Sequence, residues 1–149
     1  MAYATEADLL EIEPTILDYG VLEFDAELAK SETEVNRILS VRWWPVYAKD
    51  RRYDIVRRAG ELLMDATLLD PTQWTQATVY HALAYHICPK LSTFDPARDV
   101  FREKMEYYAR RFESEMDLCM REGVRYDDND DGTYQDIEKL PDVTLRLRR

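Results

Sequence analysis

The stretch that most limits how this chain can fold is residues 79–88, Val-Tyr-His-Ala-Leu-Ala-Tyr-His-Ile-Cys, which carries no charge at pH 7. Upstream lies Asp70-Pro71, a helix N-cap followed by the ring that suits a first helical position. Downstream lies Pro89, expected to stop the helix. A helix that is apolar on nearly every side has to be surrounded by other elements. The rest of the chain is therefore expected to wrap around this one. With only four glycines in 149 residues, most of it reads as helix.

A first helix is expected over residues 5–19, with Thr5 as N-cap and Asp8 in an acidic first turn; Pro14 shortens or kinks it and Gly20 ends it. A second, over residues 25–42, carries Leu28, Val35, Ile38 and Leu39 as its apolar stripe, and Pro45 stops or bends it beyond Trp43-Trp44. A third is expected over residues 52–68, with Val56, Ala59, Leu63 and Ala66 on one face. The fourth covers residues 71–88. The fifth is capped by Asp95, followed by Pro96, and ends at Gly123, a rod of roughly 40 Å at 1.5 Å per residue. Its buried stripe is Phe101, Met105, Tyr108, Phe112, Met116 and Cys119, and Glu106 and Arg110 pair on the outside.

The expected fold class is mostly α: a four- to five-helix bundle with one long C-terminal helix, an acidic EF-hand-like loop and an extended C-terminal tail. The divisions are a bundle over residues 1–126, the loop over 127–138 and an arm over 139–149. In the arm Val143, Leu145 and Leu147 alternate with Thr144, Arg146 and Arg148, the period of a strand. Such a strand has no local partner to pair with, so it packs back, stays loose or adds to another protein's sheet.

Charge narrows the function. Thirty acids against 20 bases give a net charge of −10, which argues against non-specific nucleic-acid binding. No apolar run approaches the ~18–20 residues of a membrane span. The chain opens without the basic start and apolar run of a signal peptide, so it is expected in a cytoplasm or in something assembled there. Cys88 and Cys119, in apolar helical contexts, read as buried thiols.

The charge is uneven. Residues 1–34 hold ten acids and one base, residues 127–138 six acids and no base, and the remaining helical body is mildly basic. The acidic N-terminal region and the basic stretch 37–58 are suited to complement each other between subunits, although solvated faces would look the same. Adjacent Trp43 and Trp44 cannot both point inward from one helix. One belongs at a subunit contact or under a loop, which makes Arg42, Trp43, Trp44, Arg51 and Arg52 the subunit-contact candidates.

The acidic run fits the calcium-loop pattern D-x-[DN]-x-[DN]-G-x5-E. Asp127, Asn129 and Asp131 would each present an oxygen, Thr133 its carbonyl, Gln135 a water, and Glu138 two oxygens, in the six-to-eight-oxygen shell that Ca2+ takes. Gly132 allows the sharp turn. Tyr134 stands where an aliphatic residue is usual, and Pro141 cuts off an exiting helix, so any ion there would be structural. The competing reading is a solvated acidic turn.

His81 and His86, five apart, are expected on different sides of a helix. His81, Tyr85 and Cys88 share a face, but one His and one Cys are half a zinc site, so these read as core or interface residues. There is no phosphate loop, no G-x-S-x-G and no H-E-x-x-H. Glu113 and Asp117, near Arg110, Arg111 and Arg121, read as a solvated charged face. No catalytic constellation emerges, and the chain is expected not to be an enzyme.

The sequence of features is an acidic N-terminal helix region, Arg42-Trp43-Trp44, the apolar helix ending in Pro89-Lys90-Leu91, and Phe94-Asp95-Pro96. The long helix beginning Phe101-Arg102-Glu103-Lys104-Met105-Glu106-Tyr107-Tyr108 follows, then Gly123-Val124-Arg125-Tyr126-Asp127 and the acidic loop. It resembles the head–tail connector (adaptor) proteins of tailed bacteriophages over most of the chain, best over residues 79–132. The resemblance implies a helical bundle that assembles as a dodecameric ring under the portal, extends the DNA channel and docks the tail or the next neck protein. It implies a virion protein of the neck, assembled in the host cytoplasm. Its partners would be copies of itself, the portal and a tail or neck protein, with DNA only passing through and no membrane. In this family the C-terminal segment reaches into the portal, which makes Val143, Leu145, Arg146, Leu147, Arg148 and Arg149 the portal-binding arm. Two other classes stay open: a cytoplasmic calcium-binding regulator or buffer, and an acidic inhibitor that mimics DNA.

Overall fold

The computed structural model describes residues 2–21, 23–50, 63–93 and 99–134. Among these the chain is mostly helical, and its one β-type pairing is the isolated antiparallel bridge between Leu69 and Tyr126.

Helix α1 (Glu6–Ile12) opens with a capping box, Thr5 and Asp8 each satisfying the other's backbone N–H. Pro14 shortens the expected first helix: α1 ends at Ile12, a 3-10 turn follows over Ile16–Tyr19, and Gly20 leaves it at φ 84°. Helix α2 (Asp25–Arg42) has its expected bounds and buries Leu28, Val35 and Leu39. The chain breaks at Trp43 and re-enters α3 (Trp44–Asp50) with Pro45 in the first turn, where its missing N–H costs no hydrogen bond.

The expected third helix is not continuous. Residues 52–62 lie outside the described residues. Leu63 is exposed and non-helical, and only a 3-10 turn, Ala66–Leu68, follows. Asp65 supplies the reason. Its carboxylate accepts from the Thr67 N–H and hydroxyl, a local pairing that competes with the helical ladder.

Helix α4 (Pro71–His81) starts at the expected Asp70 cap, whose Oδ1 accepts from Thr72 N–H at 3.0 Å. It does not stop at Pro89. Residues Ala82–Ile87 form a π-helical turn, with Cys88 N–H bonded to the Leu83 carbonyl, and α5 (Cys88–Leu91) continues through the proline. The widened turn absorbs the clash between the Pro89 ring and the carbonyl four residues back. This rod is the centre of the fold: Trp74, Ala77, Val79, Ala82, Leu83, Ile87 and Cys88 are fully buried, and α1, α2 and α6 pack against it.

The long helix α6 (Val100–Glu122) is capped by Asp99 rather than Asp95, its carboxylate accepting from the Phe101 and Arg102 N–H groups. Residues 94–98 lie outside the described residues. Its 23 residues span about 35 Å. Tyr108, Phe112, Met116 and Cys119 are buried as expected, Met120 joins them, and Phe101 and Met105 are half-buried. Glu106 and Arg110 are 3.5 Å apart and exposed, a pair worth little.

Candidate functional site

Three polar or aromatic places draw on the residues that the sequence singles out. The first is the start of the acidic loop. Gly123, at φ 97°, turns the chain off α6, and residues 125–127 then pair with residues 68–70. Asp70 N–H donates to the Arg125 carbonyl and Asp127 N–H to the Leu68 carbonyl. Gln73 reinforces the turn, donating to the Gly123 carbonyl and accepting from Arg125 N–H. Arg125 reaches back to Asp70 at 2.9 Å. Burial raises the Asp70 carboxyl, but the hydrogen bonds from Thr72 and Arg125 outweigh it and hold the group below its ordinary value. The loop's first residue is thus tied into the helical body.

Within the loop, Asp127 is buried and both of its oxygens accept backbone N–H groups, Oδ1 from Asp131 at 3.1 Å and Oδ2 from Gly132 at 2.7 Å. Asp131 accepts from the Asn129 amide and from Thr133. Asp130 and Gly132 take positive φ. Of the calcium-ligand candidates, Asp127, Asn129, Asp131 and Thr133 sit together here, while Gln135 and Glu138 lie outside the described residues. So does the whole proposed arm: Val143, Leu145, Arg146, Leu147, Arg148 and Arg149.

The second place is aromatic. Trp43, Trp44 and Tyr47 each lie 5.5 Å, centroid to centroid, from Tyr126. The break between α2 and α3 lets both tryptophans pack against the segment that leaves α6. Trp43 is 2% exposed and Trp44 half-buried, so Trp43 sits under a loop of its own chain and presents no surface to a neighbour. Arg42 also finds its partners at home. It lies 3.2 Å from Asp117 and 3.9 Å from Glu113 on α6, so those acids serve a contact between helices as well as a solvated face. Arg51 and Arg52 lie outside the described residues.

The third place is a polar seam. Glu27, Ser31 and Glu34, one stripe of α2, face the central rod. Glu27 pairs with Lys90, and that hydrogen bond, chief among its causes, holds the Glu27 carboxyl below its ordinary value. Ser31 Oγ lies 3.2 Å from His81 Nδ1. Glu34 spans two histidines, its Oε2 3.3 Å from His81 Nε2 and its Oε1 3.5 Å from His86 Nε2. The expectation that the two histidines lie on different sides of the helix is corrected by the π turn. Five residues advance an α-helix by 500°, leaving them about 140° apart, whereas a turn closed by i→i−5 bonds brings them to one face. Their ring centroids are 5.6 Å apart. Burial lowers the pKa of His81, against the opposing pull of Glu34. The signal in the sequence was Pro89, a proline that an otherwise unbroken helical pattern has to accommodate.

The two thiols are inert by environment: burial pushes Cys88 up to about 11 and Cys119 up to about 12. Compared with known protein families, characterised proteins and solved structures, the chain matches none.

Proposed function

We propose that this chain is a non-enzymatic structural protein of the connector type, a subunit of a dodecameric ring under the portal of a tailed bacteriophage. In this reading the helical bundle is the subunit body and α6 its long axis. The EF-hand-like loop, with or without a structural Ca2+, sets where the chain leaves the body. Residues 139–149 form the arm that enters the portal, and the tail or next neck protein docks on the other side. The observation that supports it best is on α6. Val100, Tyr107 and Leu118 are more than half exposed, and their spacings of 7 and 18 residues correspond to about two and five helical turns. They therefore fall on one side of the rod, with Lys104, Arg111 and Ser114 between them, a mixed face which a neighbouring subunit would cover.

The test is co-assembly with purified portal rings, read by native mass and electron microscopy. A ring bound to the portal is expected, lost on deletion of residues 143–149 while the helical circular dichroism is unchanged. A chain that stays monomeric at any portal concentration overturns the reading, as does a deletion that still attaches. The alternative, a calcium-binding regulator or buffer, rests on the loop. Calorimetry with Ca2+ on wild type against the Asp127→Ala, Glu138→Ala double variant decides it: equal heats remove the metal from the loop.

A further inference from the structure

We propose that Glu34, His81 and His86 form a three-ligand site for a divalent transition metal of the zinc type, joining α2 to the π turn of the central rod. The carboxylate and both imidazole nitrogens offer ligand atoms that all lie within 4.8 Å of one another, and among the described residues no other His, Cys, Asp or Glu side chains gather in this way. Zinc bonds of ~2.0–2.1 Å set donors roughly 3.3–3.4 Å apart at the edge of a tetrahedron. Each imidazole faces its own carboxylate oxygen of Glu34, Oε2 at 3.3 Å from His81 Nε2 and Oε1 at 3.5 Å from His86 Nε2, so an ion would draw the three groups together by a small side-chain shift.

A second observation concerns the state of His86. His86 Nε2 is buried yet makes no hydrogen bond, even with Glu34 beside it. Leaving a buried polar atom so costs free energy, and a metal ion supplies the missing partner. The third is the orientation of His81. Its Nδ1 has the hydroxyl of fully buried Ser31 as partner, the outer contact that fixes a ligating imidazole and leaves Nε2 for the metal. Phe112 stands edge-on to the His81 ring at 4.8 Å and walls that side.

The backbone carries the same message. Six residues of π helix, Ala82–Ile87, separate α4 from α5, and such turns occur frequently at functional sites. In an α-helix the two histidines would diverge and no ion could reach both. Two neutral imidazoles and one carboxylate leave the ion with charge +1. Glu34 is half exposed, so water or a ligand from another molecule would reach the ion from that side. The set is His and carboxylate, which suits zinc, nickel or cobalt better than the all-oxygen shell of calcium. It is therefore distinct from the acidic loop in ion as well as in place.

The experiment uses the full chain, stripped with EDTA and titrated with Zn2+ by calorimetry and with Co2+ by absorption in the visible. Wild type, His86→Leu, Glu34→Gln and Asp127→Ala are compared, each first shown to keep its helical circular dichroism. The expected result is one equivalent of Zn2+ per chain in wild type and Asp127→Ala, with tetrahedral Co2+ bands, and affinity at least ~100-fold weaker in His86→Leu and Glu34→Gln. Zn2+ should raise the melting temperature of wild type and not that of His86→Leu. No binding by wild type overturns the proposal, as do equal heats in all four proteins. Loss in Asp127→Ala with retention in His86→Leu would move the ion to the loop and overturn it too.

Discussion

The acidic loop and the α2 seam treat their ligating groups in opposite ways. The loop is the more acidic by sequence, yet both oxygens of Asp127 and both of Asp131 accept hydrogen bonds from within the loop. The seam has one carboxylate and two imidazoles, and there His86 Nε2, though 3.5 Å from Glu34 Oε1, makes no hydrogen bond. The difference is one of chain distance. Carboxylates a few residues apart fold onto the N–H groups beside them, because a tight turn exposes those donors. Groups brought together from α2 and the π turn have no such local donors, so what they hold is set by their convergence. Acidity marks a place where a chain can turn; convergence marks a place where it can bind.

That contrast breaks most readily at the loop's anchor. Asp70 caps α4 and also holds Arg125. Asp70→Ala is expected to cost about 2–3 kcal/mol in urea unfolding at pH 7. A cap is worth roughly 0.5–2 kcal/mol and a hydrogen bond to a charged group roughly 1.5–3, the latter reduced because Arg125 is 43% exposed. Titration gives the sign. The folded carboxyl is held below its ordinary value, so its contribution is complete above about pH 4, near the unfolded value. It is lost as the pH falls through the lowered folded value. The stability gap between wild type and variant should therefore narrow below about pH 4; a gap constant from neutral to acid would show that the charge of Asp70 is not what anchors the loop.

A smaller effect is expected within the loop. Asp127→Ala removes the acceptor of two backbone N–H groups, at about 1–2 kcal/mol, the cost of a lost cap. Asp127→Asn, which keeps one carbonyl oxygen, should lose about half of that. Amide exchange at Asp131 and Gly132 is the direct readout, and faster exchange in Asp127→Ala is expected without any metal. Unchanged exchange would mean that the loop's shape does not depend on the carboxylate, and the contrast with the seam would lose one side.

The legible parts of the fold were those written in local chemistry. Thr5 with Asp8, Asp70 with Pro71, and Gly20 and Gly123 at positive φ each announce an end by their own side chain or lack of one. The uncharged stretch at residues 79–88 placed the central rod. What was not legible needed a competitor that sequence spacing cannot rank. Asp65 and Asp99 took helix ends that periodicity assigned elsewhere. Trp43 and Trp44 pack together against Tyr126 only because the chain breaks between α2 and α3. Most of all, an assumption of 3.6 residues per turn separated His81 from His86. One wider turn reverses that, and Glu34 arrives from a helix about fifty residues away in sequence, as does Ser31, 50 residues before His81.

The smallest expected effect is the sharpest test of the contrast. If His86 Nε2 is unspent in the metal-free chain, exchanging the ring for an apolar side chain of similar volume removes no hydrogen bond. His86→Leu should then shift unfolding by no more than about 0.5 kcal/mol, against the 1–2 kcal/mol expected for Asp127→Ala. The substitution takes an unsatisfied polar atom out of a buried site, which offsets the lost contact between the two imidazole rings. A cost above about 1.5 kcal/mol would mean that the nitrogen is held by Glu34 in the absence of any ion. The seam would then be a finished polar contact like the loop, and the difference between the two places would vanish.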